Sequence, residues 1–321
     1  MEKIKINEIE ELKIGHAHHK KGVTGCSVFL FEKGAVAGVD IRGGAPGTRE
    51  TALLKPDKMV DQIHAIMLAG GSAFGLDAAS GAVKYLEENG IGFKTKAARV
   101  PIVSSSVLYD LEIGNSEIRP DFDMGYQACL NASKDDFPNG NIGAGMGATI
   151  GKIAGAEQMM KGGLGTAAYK IGDLKIGAAV AVNSLGDIIN PENGEIIAGA
   201  LNKDKNSFLN TEKLFYENYK KNNNIFGTNT SLGIVITNAK LNKVEANKIA
   251  TKAHNGYALT MSPAHTDFDG DTIFVASTAK IDADINTLNL LAVKVIKEAV
   301  LNAIKSALTI DGVISLNDLK K

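Results

Sequence analysis

The sequence predicts an α/β fold. Short apolar runs ending in Gly or Asn alternate with longer stretches of helical periodicity, and several of the short runs have almost no polar face. Strands of that kind are buried on both sides and require a further layer above and below the sheet.

In chain order, "GCSVFLFEKG" and "AVAGVDIRGG" read as two strands of a hairpin turning at Lys33 and Gly34. "IHAIMLAGG" reads as a fully apolar strand. The following "AFGLDAASGAVKYLEENG" places Leu76, Ala79, Val83 and Leu86 at helical spacing, with Gly90 as the stop. "LKIGAAVAVNSLG" and "SLGIVITNA" are again strands. Two helices are expected in the C-terminal part, over about 241–256 and about 285–307, the second amphipathic through Leu288, Leu291, Val295, Ala299 and Ile304.

The stretch from 202 to 229 interrupts this pattern. "NKDKNSFLNTEKLFYENYKKNNN" is polar and Asn-rich, with a turn or two of helix around Thr211 to Tyr219, and is expected to be mobile. A domain linker is the commoner reading of such a segment. The residues after Asn229, however, offer only two or three strands and two helices, which is thin for an independent core. Residues 1–321 are therefore read as one domain whose C-terminal part completes a sheet begun upstream.

Lys plus Arg (35) balance Asp plus Glu (36), so no global field favours a nucleic acid or an anionic membrane. The N-terminal "MEKIKINEIEELKIG" lacks the apolar core of a secretory signal, and no run reaches about 18 apolar residues without a charge. A cytoplasmic protein is expected, with a small molecule or a second copy of itself as partner. Cys26 and Cys129 have no metal or redox spacing and read as buried structural thiols. Gly is frequent (35 of 321) and clustered, which argues for tight backbone turns around a site.

Several motifs fail as cofactor sites. In "GNIGAGMGATIGK" (140–152), Met146 occupies the first Gly position of a phosphate loop and Ile153 its hydroxyl position, so a close-packed turn presenting Lys152 is the better reading. "DFDGD" has Thr272 and Thr278 where a calcium loop needs Gly and Glu. Asp269 and Asp271 are instead expected on one side of a strand entrance, as paired carboxylates able to orient amines and hold protons. His16, His18 and His19 lack carboxylate or Cys company and read as surface or packing residues. His254 and His265 flank the acidic loop as either site or structural residues. "GGSAFG" has the wrong offset for a serine-hydrolase elbow. No metal and no cofactor are expected.

A hydroxyl finds another activator at a chain terminus, where the adjacent α-amino group titrates near 7.7 to 8.0, whereas a Lys near 10.4 stays protonated. In "FGTNTSLGIVITNA" a polar segment meets a buried strand at Asn229 and Thr230. Cutting the Asn229–Thr230 bond would leave the strand holding a hydroxyl with its own base.

The chain resembles the self-processing aminopeptidases, a family that includes L-aminopeptidase/D-esterase, the β-peptidyl aminopeptidases and nylon-oligomer endohydrolase. The resemblance rests on "IKIGHA", "GAVAGVDIRGGAPGTRE", "HAIMLAGGSAFGLDAASG", "RVPIVSSSVLYDL", "GNIGAGMGATIGK", "KGGLGTAAY", "VAVNSLGD", "NTSLGIVITNAKL" and "PAHTDFDGDTIF", in that order. It implies a four-layer α/β/β/α unit cleaved into 1–229 and 230–321, with the fragments staying together and the units forming tetramers. It also implies Thr230 as nucleophile, Tyr109 and Asn183 as oxyanion donors, and Lys152, Asp269 and Asp271 as residues of self-cleavage and nucleophile positioning. The Asp pair matches the nylon-hydrolase side of the family, where other members carry Ser and Glu. Leu259 departs from the pattern, since many members have Arg there.

The expected activity is therefore hydrolysis of small peptides, amino-acid amides or linear polyamide oligomers by an N-terminal threonine. An acyltransferase resembling the ornithine acetyltransferases is the alternative, and a non-catalytic scaffold a more distant one.

Overall fold

The computed structural model describes residues 1–219 and 229–319. Among these, ten strands form one sheet: β1 (Glu2–Ile4), β2 (Lys13–His19), β3 (Thr24–Ile41), β4 (Gly47–Arg49), β5 (Gln62–Ala69), β6 (Val103–Val107), β7 (Gly163–Ile171), β8 (Leu174–Val182), β9 (Leu232–Ala239) and β10 (Thr272–Ile281). The helices are α1 (Ala78–Glu88), α2 (Phe122–Leu130), α3 (Thr211–Glu217), α4 (Lys243–Ala258) and α5 (Ile285–Ser306). Across the sheet the order is β1-β7-β8-β9-β10-β3-β5-β6-β4, with β2 also paired to β3.

The long strand β3 links two halves of the sheet that pack face to face. Its first half pairs with β2 and with β5 (Cys26 opposite Ala69), and its second half pairs with β10 (Ile41 opposite Thr272). Between Leu30 and Ala35 the register against β5 shifts, and Gly34 takes φ 84°. The hairpin expected at Lys33 and Gly34 is thus absent. Each half of β3 finds partners in other strands, so the glycine absorbs a bulge instead of reversing the chain.

Three cores separate the layers. In the middle, Phe29, Phe31, Ile66 and Leu68 of one half-sheet meet Leu164, Ala179, Ile234 and Phe274 of the other. Outside the first half, α1 and α2 cover Val28, Leu30 and Met67 with Ala79, Leu86 and Cys129. Outside the second, α4 and α5 cover Val180, Val235 and Val275 with Ile249, Ala253, Leu288 and Val295. The layering is α/β/β/α. It explains strands without a polar face: in β9, Leu232, Ile234 and Ile236 point into the middle core while Val235 points to the helices.

The helix ends follow local chemistry. Asn242 and Glu245 form a capping box at the start of α4, and Asp284 accepts from Thr287 N at the start of α5. Gly90 takes φ 65° just past the end of α1, as expected of a stop. Leu259 caps the end of α4 and is exposed.

Part of the expected mobile stretch, 220–228, lies outside the described residues. Over 202–219 the chain carries α3 and is tied down at buried Thr211, whose N and Oγ1 donate to Asp187 at 2.6 and 2.9 Å. Among the described residues no helix is long and apolar enough to cross a membrane.

Candidate active site

Topology brings three strand ends together. β9 and β10 run parallel with Leu232 opposite Thr272, so their entrances lie side by side. β8 runs antiparallel to β9 with Ala181 opposite Leu232, which places the residue after β8, Asn183, at the same edge. A parallel pair needs a crossover, and α4 supplies it.

Thr230 sits just before β9, 2% exposed, with φ 156°. Its N donates to the Asn183 carbonyl at 2.8 Å, and its Oγ1 accepts from Gly270 N at 3.0 Å. A Cβ at position 270 would lie 2.5 Å from the Ala45 carbonyl oxygen and 2.8 Å from Thr230 Oγ1, so glycine is required there. Next to it, Ser231 N donates to Asp271 Oδ1 at 2.8 Å, and Ser231 Oγ accepts from Asn183 N at 3.2 Å.

Asn183 is fully buried and has its amide orientation fixed by its neighbours. Oδ1 accepts from Thr149 N at 3.0 Å and from Lys152 Nζ at 2.7 Å, which leaves Nδ2 as the donor to the Tyr109 carbonyl at 3.1 Å. Tyr109 joins the cluster through its backbone carbonyl, while its hydroxyl is pushed above the ordinary phenol value by burial and then by Glu112 and Asp110.

Lys152 follows the Gly-rich turn and is buried. Burial pulls its pKa down to about 7 against the opposing pull of Glu112, Asp269 and Asp110. A lysine near neutrality can exchange protons at working pH. Asp269 accepts from Thr266 N, Thr266 Oγ1 and Leu185 N, and is pushed up to about 7 by burial and by Asp271. Asp271 accepts three N–H groups: Ser231 N, and both N and Nδ1 of His265 at 3.2 and 2.8 Å. Both acids lie just before the β10 entrance and act on one another electrostatically, yet they hold different hydrogen-bond partners.

Two supporting residues were missed in the sequence. Lys161, fully buried, donates to the carbonyls of Gly145, Ala148 and Gly162 at 3.0, 2.7 and 2.9 Å, pinning the turn that carries Thr149 and Lys152. Asp110 accepts from Gly71 N and Thr24 Oγ1 at 2.7 Å each and is pushed up to about 6 by burial. An isolated Lys before a Gly pair, and an Asp after Tyr109, carry no spacing signal of their own. The remaining histidines of the N-terminal cluster are structural in part: His16 is bonded to Ser27 Oγ at 2.8 Å, and burial pulls its pKa to about 3.

The model of peptidase family S58 matches residues 5–316. The chain belongs to peptidase family S58. Among S58 relatives, an uncharacterised aminopeptidase of Mycobacterium leprae is 34% identical over 294 residues, 87% of this chain and 79% of the relative. A 6-aminohexanoate-oligomer endohydrolase of Kocuria sp. is 32% identical over 311 residues, covering 92% and 84%. The L-aminopeptidase D-Ala-esterase/amidase of Ochrobactrum anthropi, described as a variant of the Ntn hydrolase fold, superposes with a TM-score of 0.72 at 16% identity over 94% of this chain and 86% of its own. A β-aminopeptidase of Burkholderia sp. gives 0.69 at 17% identity over the same shares. The S58 chain described here is thus an amide hydrolase with the Ntn fold.

Proposed function

We propose that this S58 hydrolase is made as a precursor that cuts its own Asn229–Thr230 bond and then uses Thr230 as an N-terminal nucleophile. The observation that carries the reading is the placement of Thr230: a buried hydroxyl at a strand entrance, held by Gly270 N, with its backbone N on the Asn183 carbonyl. Its φ of 156° adds backbone strain at the bond to be cut.

In self-cleavage, Oγ1 gives up its proton and attacks the Asn229 carbonyl, the C–N bond breaks as the Thr230 nitrogen takes up a proton to complete the N-to-O shift, and water hydrolyses the resulting ester. Residues 1–229 and 230–321 result, at roughly 24 and 10 kDa of the 33.8 kDa chain. In the mature enzyme the freed α-amine takes the Oγ1 proton as Oγ1 attacks a substrate amide, and later returns it to the leaving amine. Asn183 Nδ2 and the Tyr109 hydroxyl donate to the oxyanion. Asp269 and Asp271 orient the new terminus, and Lys152, near neutrality, serves as proton carrier during self-cleavage.

The substrates in this reading are small peptides, amino-acid amides or 6-aminohexanoate oligomers. A cavity of about 250 Å³ lined by Glu112, Ile113, Glu157, Met159, Lys205 and Asp311 holds more carboxylates than cations beside its apolar walls, and Glu112 acts electrostatically on both Lys152 and Tyr109. That lining suits an amide bearing an amine. A homotetramer of processed units completes the reading. So does a cytoplasmic setting, which suits the free, buried Cys26 and Cys129.

The Thr230→Ala chain tests this. It should remain one polypeptide without amidase activity, and cleavage or activity in that variant would contradict the proposal. Among substrates, p-nitroanilides of α- and β-amino acids and short nylon oligomers should be hydrolysed, with N-acetylated versions turned over more slowly.

A further inference from the structure

The stretch 202–219, expected to be mobile, is fastened to two segments that also reach the nucleophile. Asp187 follows Asn183 by four residues, which places it within about 14 Å of Asn183 even along a fully extended chain. Its carboxylate accepts from Thr211 N, Thr211 Oγ1 and Ala200 N at 2.6, 2.9 and 2.9 Å. A Cβ on Gly199 would collide with Asp187 Oδ1, so glycine at 199 leaves the carboxylate room. Asp187 also stands opposite Ser262 in the pairing of the short strands Asp187–Ile189 and Met261–Ser262. Ser262 Oγ donates to Glu212 Oε1 in the first turn of α3, and the sulfur of Met261 accepts from Ser231 Oγ at 3.7 Å.

Between α3 and the acidic loop lies a cavity of about 240 Å³, lined by Glu212, Phe215, Tyr216, Pro263 and Thr266. One wall is the loop that carries the acids: Thr266 N and Oγ1 both donate to Asp269 Oδ2, and four residues after Thr266 the Gly270 N–H reaches Thr230 Oγ1. The facing wall is two aromatic rings, of which Tyr216 is 72% exposed and so leaves most of its ring to be covered by a bound chain. Rings and proline offer apolar surface, and the Glu212 carboxylate and Thr266 hydroxyl offer oxygens to an N–H group. The same stretch of chain gives Lys205 to the cavity at Glu112, so residues 202–219 border both cavities.

We propose that α3 stays on the enzyme after the cut and that Glu212, Phe215 and Tyr216 form, with Pro263 and Thr266, a subsite for the apolar chain of an extended amide. The inference rests on Thr230 being the nucleophile and adds the substrate class: linear amides long enough to reach from the reacting bond into this cavity, preferred over single amino-acid amides. The rings cover the methylenes of the chain, and Glu212, with one oxygen turned to Ser262, accepts an amide or ammonium N–H on the other. Each methylene buried there is worth about fourfold in affinity, so two of them suffice for a preference of about tenfold.

Steady-state kinetics of the purified enzyme on the 6-aminohexanoate dimer and tetramer tests this, because the two differ in length and neither has side chains. The ratio of kcat/KM, tetramer over dimer, is expected to be about tenfold or more and to be carried by KM. Tyr216→Ala removes an exposed ring and leaves the fold, and Phe215→Ala removes the half-buried ring beside it. In each variant the ratio should fall by about threefold or more, again through KM. An enzyme that does not cleave the tetramer, a wild-type ratio near one, or either variant with the wild-type ratio would overturn the subsite. Failure of Thr230 itself would show instead as activity surviving in Thr230→Ala.

Discussion

The backbone N–H of Gly270 donates to the hydroxyl oxygen of Thr230 at 3.0 Å. This contact occupies one Oγ1 lone pair and holds the hydroxyl in place. It exists because β9 and β10 are parallel neighbours, so the turn before one strand abuts the first side chain of the other.

Gly270→Ala tests that contact. The added methyl would meet the Ala45 carbonyl and Thr230 Oγ1, displacing the hydroxyl by a fraction of an ångström or more. Self-cleavage and amidase rates are expected to fall by about 10²-fold while the circular dichroism spectrum is unchanged, because a small misplacement is felt mainly in the chemistry.

Asn183→Ala removes the proposed oxyanion donor and the shared acceptor of Lys152 and Thr149 N. The expected result is a kcat lower by about 10² to 10³, with KM changing much less, since the lost hydrogen bond matters most in the transition state. Steady-state kinetics on a p-nitroanilide measures both.

Lys161→Met removes a donor from three carbonyls, of which Ala148 O and Gly145 O keep a backbone N–H while Gly162 O loses the donor it has here. With about 1 to 3 kcal/mol for each unmet buried group, partly relieved by relaxation, a loss of about 2 kcal/mol or more in urea unfolding is expected. Self-cleavage should slow as well, because the turn it pins carries Lys152.

Asp269 gives a pH signature. Its folded pKa, about 7, is above the ordinary 3.8, so its contribution to stability is full below that ordinary value and is lost as pH rises through 7. In a Thr230→Ala background, Asp269→Asn should abolish this loss. The variant should gain on its parent between pH 4 and pH 8 by at least about 1.4 kcal/mol, the equivalent of one pKa unit. A pH-independent difference in unfolding free energy would contradict the assignment.

Much of this was legible in the sequence because burial on both faces and helical periodicity are local. The runs now seen as β5, β8 and β9, and the helices α1, α4 and α5, follow from apolar spacing and from Gly90. The bulge at Gly34 was misread as a turn because the sequence shows a glycine between two strands but not which strands they pair with. Within the site, the expected pair Asp269 and Asp271 precedes β10, and the different partners each carboxylate takes were not legible in the spacing. The Lys161 and His265 contacts were hidden, because three carbonyl acceptors and one ring set edge-on to another leave no trace in residue spacing.

The central claim is that the chain is cut between Asn229 and Thr230. Intact mass spectrometry with N-terminal sequencing of the purified full chain, after prolonged incubation, is its most direct test. Two polypeptides of roughly 24 and 10 kDa are expected, the smaller beginning Thr230-Ser231-Leu232. A single intact chain that nevertheless hydrolyses amides, or a cut at any other bond, would contradict it.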